Sequence, residues 1–231
     1  MIETVVRRPA VVPRAFVFDM DGLLLNTELL ARRALLESGT ALGLDVTERF
    51  CSLLIGVPAD RSRELLLEHY GRDVPADRFF ADAADRLDVV IADGGLRLQP
   101  GVIELLDWID ARGLPKAVAT SSARTKALHH LAAAGIERRF DAIVTRDDVA
   151  RGKPHPDPFL RAAAAIDVPP GDCLALEDSY NGVRAAHAAG MPVVMVPDLL
   201  VPDDEMRRLA TAIVADLHGI VPWLAAERTD A

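Results

Sequence analysis

Hydrophobic positions follow two patterns along the chain: short continuous apolar runs, and longer stretches with helical spacing. From residue 100 onward the two alternate, and helical stretches separate the runs AVAT, DAIVT, CLALED, PVVMV and TAIVADL. A similar run, AFVFD, lies near the N-terminus. Short apolar strands that alternate with helices of about 10 to 15 residues are typical of parallel β-α-β units. The pattern therefore predicts an α/β fold built on a parallel sheet.

A different pattern separates the first predicted strand from the others. Residues 27 to about 95 hold helical stretches and no convincing strand. These helices are predicted to begin near Asn26 or Thr27, after Pro58 and after Pro75. The predicted division is an α/β core of residues 1–26 and 99–231, interrupted by an all-helical insertion of residues 27–98.

Composition and charge limit the classes of partner. The net charge of −9 argues against a nucleic-acid backbone or an anionic membrane as the main partner. No apolar run reaches the roughly 18 residues of a membrane span. The two cysteines, Cys51 and Cys173, lie far apart and are expected in the core. We expect a cytoplasmic protein, and the sequence leaves monomer and homodimer both open.

Polar side chains cluster where the predicted strands end. In open, Rossmann-like parallel sheets, ligands bind at the carboxyl ends of the strands. Each group alone has an ordinary explanation as a turn, a helix cap or a solvated loop. Their convergence on one edge of the sheet is much harder to obtain by chance. The residues concerned are Asp19, Asp21, Thr120, Ser121, Lys153, Glu177 and Asp178.

The carboxylates among them predict a cation site. Two adjacent carboxylates at the end of a buried strand repel each other unless a positive charge lies between them. Asp19, Asp21 and Asp178 together form an oxygen-rich set suited to Mg²⁺, which binds one or two carboxylates and keeps waters or phosphate oxygens. A metal ion at this edge would relieve the repulsion.

The remaining groups suit a phosphoryl group. A hydroxyl and backbone N–H groups at a helix N-terminus, from Thr120 and Ser121, can bind phosphate oxygens. Lys153 adds a compact positive charge. One carboxylate can then attack phosphorus, while another protonates the leaving oxygen and later activates water. The set predicts phosphoryl transfer.

The stretches DMDGLLLNTE, VATSS, GKPHPDPF and LEDSYNGVRAAHAAGM resemble, in this order, the four motifs of the haloacid dehalogenase superfamily. The resemblance covers the α/β core almost end to end. The helical insertion lies where one subgroup, including β-phosphoglucomutase, phosphoglycolate phosphatase and pseudouridine 5′-phosphatase, carries its cap domain. It implies a Mg²⁺-dependent phosphatase that hydrolyses a small phosphorylated metabolite (a sugar, nucleoside or organic-acid phosphate) through an aspartyl-phosphate intermediate.

The resemblance also implies roles for individual residues around the metal. Asp19 would be the nucleophile and a metal ligand. Asp21 would be the general acid/base, with its main-chain carbonyl touching Mg²⁺. Asp178 would be the third ligand, and Glu177 would lie beside it in the first or second shell. Gly22 would allow the tight turn that follows Asp21 and help to surround the phosphate.

Other positions would bind the phosphoryl group. The Thr120 hydroxyl and the Ser121 amide would hold its oxygens, and Lys153 would steady the charge between it and the nucleophile. Dehalogenases of the superfamily lack the second aspartate of the first motif, so the presence of Asp21 favours phosphoryl transfer.

Two alternatives remain open. One is a sugar-phosphate mutase of the β-phosphoglucomutase type, which carries a cap-hinge His and a cap Arg. Alignment on the motifs puts Ala31 and Ala59 at those positions, which weakens this alternative, although Arg61 and Arg63 lie close by. The other is a non-catalytic binding module that keeps the fold, against which the complete set of charged positions argues.

The helical insertion is expected to close over the core and exclude water. Its hinges are predicted near residues 25–28 and 94–100. Side chains facing the crevice would set specificity, although a solvated helix surface is the simpler explanation for them. The candidates at the rim are Arg61, Arg63, Glu64 and His155.

Overall fold

The structure is a computed structural model that describes residues 12–226, so both ends of the predicted core, 1–11 and 227–231, lie outside the described residues. The strands are β1 (Ala15–Phe18), β2 (Lys116–Ala119), β3 (Ala142–Val144), β4 (Cys173–Glu177), β5 (Val193–Met195) and β6 (Ala212–Ile213). The helices are α1 (Thr27–Ala41), α2 (Glu48–Leu54), α3 (Ala59–Tyr70), α4 (Ala76–Ala92), α5 (Val102–Asp110), α6 (Arg124–Ala133), α7 (Asp157–Ala165), α8 (Tyr180–Ala188), α9 (Asp204–Leu209) and α10 (Ile220–Ala226).

The six strands form one sheet in the order β3-β2-β1-β4-β5-β6. Every neighbouring pair is parallel, which confirms the predicted α/β class. Strand β1 is central, with β2 on one side and β4 on the other. Phe18, its last residue, is in register with Val118 and Leu176. The carboxyl ends of these three strands therefore meet at one edge of the sheet.

Helices cover both faces of the sheet, so β1 is buried throughout. Phe16 and Phe18 belong to a cluster on one face that includes residues of α5 and α10. Ala15 and Val17 belong to a cluster on the other face, which includes residues of α7 and α8. A parallel strand buried on both faces reads as a continuous apolar run, which is why AFVF is apolar at every position.

Between β1 and α5 the chain forms four helices with apolar contacts of their own. Phe50, Leu66 and Phe79 lie at the centre of one cluster, and Leu87 belongs to a second cluster with residues of α1. The sequence predicted three helices here and missed α2, which has only seven residues. Domain boundaries at 26/27 and 98/99 stay a prediction.

The chain crosses from the sheet to these helices at residues 24–26 and returns at residues 97–99, and these two crossings run side by side. The backbone N–H of Asn26 donates to the Arg97 carbonyl at 3.0 Å, and the N–H of Gln99 donates to the Leu24 carbonyl at 2.9 Å. The Asn26 side chain does not cap α1. Its Oδ1 instead accepts from the Arg97 backbone N–H at 2.7 Å. A paired crossing keeps the start of α1 close to the carboxyl end of β1.

None of the helices in the described range is long and apolar enough to cross a membrane.

Candidate active site

Asp19 follows β1 directly and lies at the centre of the sheet edge. Its backbone N–H donates to the carbonyl of Leu176 in β4 at 3.0 Å, which extends the strand pairing by one residue. Its side chain is 8% exposed. The register of β1 with β2 and β4 therefore positions this carboxylate between the ends of those two strands.

Lys153 provides the positive charge at this point. Its Nζ donates to Asp19 Oδ1 and, at 2.5 Å, to Glu177 Oε1. Burial by itself lowers the pKa of a lysine, but here the charges of Asp19 and Glu177 outweigh it and raise the pKa of Lys153. Burial raises the pKa of Asp19 well above its ordinary value, although the charge of Lys153 opposes that rise. The ammonium therefore holds two buried carboxylates together.

The second oxygen of Glu177 holds the start of α8. Glu177 Oε2 accepts from the backbone N–H groups of Asp178 and Ser179 and from the Ser179 hydroxyl, each at 3.0 Å. The Ser179 hydroxyl in turn accepts from the Gly182 N–H at 3.1 Å and caps the helix. A Cβ on Gly182 would lie 1.7 Å from Glu177 Oε1, so only glycine fits here.

Three hydroxyls surround the carboxylate of Asp21. Thr27 donates to Oδ1 at 2.8 Å, while Ser122, at 2.7 Å, and Thr120, at 3.3 Å, donate to Oδ2. Burial alone would raise the pKa of Asp21, but the charge of Lys126 and the bonds from Ser122 and Thr27 lower it below its ordinary value. Asp21 is thus held as an anion.

The carboxylates at this edge of the sheet form a close cluster. The three carboxylates that approach one another closely, with one oxygen each within 4.8 Å of the others, are Asp19, Glu177 and Asp178. The expected metal set of Asp19, Asp21 and Asp178, with Asp21 also contributing its main-chain carbonyl, stays a prediction, and the Asp21 carboxylate lies outside this cluster. The reason is that its oxygens turn toward the hydroxyls of α1 and of the β2–α6 turn.

The donor atoms of this cluster fit Mg²⁺. Both Glu177 oxygens and one Asp19 oxygen already accept hydrogen bonds, which leaves Asp19 Oδ2 and the Asp178 carboxylate. Within residues 12–226, no group donates to either of these. Burial, together with the charges of Glu177 and Asp19, raises the pKa of Asp178 well above its ordinary value. A hard divalent cation matches such an all-oxygen set and would relieve its repulsion.

Gly22 makes room for Asp178. Its φ is +88°, and a Cβ at this position would lie 2.2 Å from Asp178 Oδ2. Gln99 Nε2 donates to the Gly22 carbonyl at 2.8 Å and fixes the turn from the segment that returns from the helices to the sheet. Glycine is therefore required both for the backbone conformation and for the close approach of the carboxylate.

A cavity of about 470 Å³ opens between this sheet edge and helices α1–α4. Of the predicted site residues, Asp19, Asp21, Ser121, Lys153 and Asp178 line it. The other three, Gly22, Thr120 and Glu177, are buried just behind the lining. Thr120 Oγ1 accepts from the Ser122 N–H at 3.0 Å as well as donating to Asp21, so it orients the turn. The functional roles of all eight stay predictions.

The rim candidates divide into those inside and outside the cavity. Arg63 lines it and contacts Asp77. Arg61 instead lies on the outer surface, where it pairs with Glu64 at 2.8 Å and with Glu68 at 2.9 Å. His155 is exposed and does not contribute to the lining. Helical spacing placed Arg61 and Arg63 on one helix, α3, but did not say which face of that helix meets the core.

Several lining residues were not anticipated. Thr27 and Ser122 hold Asp21, and Glu28, Arg32 and Lys126 also line the cavity. Burial, and next the charge of Asp21, raises the pKa of Glu28 to about 8. Thr27, six residues beyond Asp21, and Ser122, two residues beyond Thr120, lie inside the quoted motifs, so the motifs offered a signal for both; Arg32 and Lys126 had none.

Ala31 and Ala59 both line the cavity. These are the positions where motif alignment expects the His and Arg of a mutase. The structure therefore puts two methyl groups at the aligned positions, while Arg63, four residues beyond Ala59, also lines the cavity.

Comparisons with known proteins agree with this architecture. The chain is 37% identical over 195 residues to the protein CbbY of Rhodobacter capsulatus, covering 80% of this chain and 85% of that protein. It is 33% identical over 216 residues to a probable pseudouridine-5′-phosphatase of Drosophila melanogaster, covering 89% and 90%. The crystal structure of CbbY from Rhodobacter sphaeroides in complex with phosphate superposes with a TM-score of 0.76 at 30% identity, covering 93% of this chain and 100% of that chain.

A family model described as haloacid dehalogenase-like hydrolase matches residues 13–190, a span that runs from the start of β1 to the end of α8 and includes all eight predicted site residues. By this match, and by the relatives above, the chain belongs to the haloacid dehalogenase-like hydrolase family.

Proposed function

We propose that this protein is a Mg²⁺-dependent phosphatase that hydrolyses a small phosphorylated metabolite through an aspartyl-phosphate on Asp19. The observation that carries the proposal is the buried Lys153 ammonium, bound to Asp19 at the floor of a metabolite-sized cavity and beside Asp178. A relative named as a probable pseudouridine-5′-phosphatase and a related crystal structure in complex with phosphate support the same chemistry.

In the first step an Asp19 oxygen attacks phosphorus, and the bond between phosphorus and the leaving oxygen breaks. Lys153 offsets negative charge on the phosphoryl oxygens, helped by backbone N–H groups of the turn at Ser121. Asp21 passes a proton to the leaving oxygen. An anionic phosphate beside Asp21 raises the pKa of its carboxyl, which allows it to carry that proton.

In the second step Asp21 takes a proton from water, and the water oxygen attacks the phosphorus of the aspartyl-phosphate. The bond between phosphorus and Asp19 breaks, and phosphate leaves. The hydroxyls of Thr27, Ser122 and Thr120 hold the Asp21 carboxylate in place for both transfers.

Asp19 and Asp178 would hold the metal, and the main-chain carbonyl of Asp21 is a further candidate ligand. When bound, Mg²⁺ would supply positive charge that lets an anionic nucleophile approach an anionic phosphate.

We further propose that residues 27–98 are a cap that moves about the paired crossings near Asn26 and Arg97. Asn181 Nδ2 donates to the Gly56 carbonyl at 2.9 Å and so links the α2–α3 loop to the core, as a closed cap requires. The substrate class is a sugar, nucleoside or organic-acid phosphate, the setting is cytoplasmic, and the protein acts as a monomer or homodimer.

Phosphate release from p-nitrophenyl phosphate and from a panel of metabolite phosphates tests the function. Wild-type protein is expected to turn over at least one ester, and Asp19→Asn or chelation of the metal should abolish turnover. Asp73→Asn, which changes an exposed aspartate in a turn, is the matched control and should keep full activity. Undiminished turnover by Asp19→Asn would reject the proposal.

The same assay separates the mutase and the binding module. A mutase would convert substrate only with a bisphosphate activator and release little phosphate. A binding module would release none from any ester. The alanines at positions 31 and 59 favour the hydrolase over the mutase.

A further inference from the structure

Arg32 lines the cavity from the side of the helices rather than from the sheet edge. It lies on α1 one turn beyond Glu28, and the residues of α1 that reach the cavity recur at helical spacing. They are Thr27, Glu28, Ala31, Arg32 and Leu35. Arg32 is therefore on the inward face of α1, separate from the strand ends that carry Asp19 and Lys153.

Among residues 12–226, the guanidinium of Arg32 has an ion pair with Glu48 but no hydrogen-bond acceptor. Its side chain is only 25% exposed, and none of residues 12–226 accepts a hydrogen bond from it. The nearest carboxylate oxygen, on Glu48, is 3.6 Å from Nη1, which is beyond hydrogen-bonding distance, and the Glu48 side chain is 70% exposed. This partly buried guanidinium has five N–H donors, and its ion pair with the exposed Glu48 carboxylate satisfies none of them by a hydrogen bond.

The other charged groups around Arg32 do not meet that need. Glu28 shares its helix face, and Asp198 lies close enough for the charge of Arg32 to lower the pKa of its carboxyl, although burial raises that pKa overall. Neither carboxylate is within 4.0 Å of the guanidinium. Cys51, beside it on the lining, is a buried thiol. An acceptor from outside the protein would complete the site.

The rest of this wall is mostly apolar, with the Ser62 hydroxyl and one more cation among its polar groups. Leu35, Leu54 and Phe80 line it, and Arg63 adds a second guanidinium that already contacts Asp77. A substrate whose phosphoryl group is held at Lys153 would extend its leaving group toward this wall. A cavity of about 470 Å³ has room for a small metabolite in that position.

We propose that Arg32 binds a second anionic group on the leaving group of the substrate. Its planar fork of donors matches the two oxygens of a carboxylate or of a second phosphate. The protein would then select phosphomonoesters that carry a further negative charge over those with a neutral leaving group. This inference rests on the proposed function, because it assumes that the phosphoryl group is bound at Asp19 and Lys153.

Matched substrate pairs test the inference. 3-Phosphoglycerate against glycerol 3-phosphate compares a carboxylate with a neutral leaving group, and fructose 1,6-bisphosphate against fructose 6-phosphate compares a second phosphate with none. Wild-type kcat/KM should favour the member with the extra anion in at least one pair. Arg32→Gln should lower kcat/KM for that member by about 10- to 100-fold, the value of a charge-assisted hydrogen bond, and change the neutral member less than about threefold.

Two further variants separate recognition from folding. Arg32→Lys keeps the charge without the fork and should recover part of the lost kcat/KM. Arg61→Gln, on the outer surface of α3, should leave both members of each pair unchanged. The pair that responds identifies the second anion as a carboxylate or a phosphate.

Equal loss for both members of each pair after Arg32→Gln, or no loss for either, would overturn the inference while leaving the phosphatase proposal intact. Isothermal titration calorimetry of the same substrate pairs with the Asp19→Asn protein measures recognition of the second anion without turnover. Wild-type protein that hydrolyses nothing would reject the proposed function. A preference for the extra anion in binding, removed by Arg32→Gln, would still support the second-anion site in that case.

Discussion

The Lys153 ammonium and the Glu177 carboxylate form a buried ion pair, with Nζ 2.5 Å from Oε1. The same ammonium holds Asp19, so removing it leaves two buried carboxylates without their partner. Breaking a buried pair by removing one partner typically costs about 3–5 kcal/mol. Glu177 also accepts from the backbone N–H groups of Asp178 and Ser179, the two residues before α8, so the pair links Asp19 to the segment that leads into this helix.

We expect Lys153→Met to lower phosphate release by at least about 100-fold, because the charge that faces the phosphoryl group is lost. It should also lower the free energy of unfolding by several kcal/mol, measured by urea denaturation. Lys116→Met is the matched control. Lys116 is also buried and paired, with Asp110, but it begins β2 at the opposite edge of the sheet. The Lys116→Met protein should have a lower free energy of unfolding but release phosphate at the wild-type rate per folded molecule. Equal loss of activity in both variants would contradict the assigned role.

Gly22→Ala should be more damaging than an alanine at a comparable turn. Its Cβ would meet the Asp178 carboxylate, and the backbone φ of +88° adds strain. We expect the free energy of unfolding to fall by about 2–3 kcal/mol and the effect of Mg²⁺ to weaken. Gly190→Ala, at φ +75° with open space around its Cβ, isolates the backbone cost, expected at about 1 kcal/mol. Similar losses in the two variants would show that contact with Asp178 does not matter.

Magnesium should raise the unfolding midpoint of the wild-type protein. A cation bound only by the folded state stabilises it by about 2.7 kcal/mol at 100 times its Kd. Asp178→Asn should remove this increment. In chelator it should be no less stable than wild type, because burial and two neighbouring carboxylates already raise the pKa of Asp178. The measurement is thermal unfolding with and without Mg²⁺, and an increment that survives Asp178→Asn would exclude this residue as a ligand.

Asp148 should contribute stability that depends on pH. Arg124 Nη2 donates to both of its oxygens, at 2.6 and 2.7 Å, and with the bonds from Thr145 this lowers the pKa of Asp148 to about 2. A lowered pKa means that the stabilisation is present above about pH 4 and is lost as the pH falls toward 2.

Because the pair is partly exposed, we expect Asp148→Asn to cost about 1 kcal/mol at pH 7 and progressively less below pH 4. Urea denaturation at several pH values measures this. Asp73→Asn, in an exposed turn, should show no such trend. A cost for Asp148→Asn that stays constant down to pH 3 would contradict the assignment.

Much of the architecture followed from local pattern. Apolar runs that end in polar residues predicted the parallel sheet, and the carboxyl ends of parallel strands must share an edge, which brought Asp19, Lys153 and Glu177 together. Helix α2 was not predicted, because seven residues make too few turns to show a helical period in their apolar positions. Its N-terminus is capped by Thr47, whose side chain accepts from the Phe50 N–H. Helix α9, with six residues, was missed for the same reason.

The contacts of Asp21 with its hydroxyl partners could not be predicted, because those partners come from two segments that lie far apart in the sequence. Thr27 belongs to α1, and Thr120 and Ser122 to the turn after β2, so their contact depends on how the crossing at Asn26 sets α1 against the sheet. That packing turned the Asp21 carboxylate away from the group formed by Asp19, Glu177 and Asp178.

Residue types, their order and their spacing along the chain were enough to establish the α/β class, the inserted helices and the identity of the charged residues at the sheet edge. These properties are local, or follow from the common direction of parallel strands. The face that each inserted helix turns toward the cavity was decided only by tertiary packing. Arg32 and Arg61 both lie in stretches with ordinary helical spacing, and that spacing does not say which of them faces the cavity. Arg32 faces inward and Arg61 faces solvent because of the way their helices pack against one another and against the sheet.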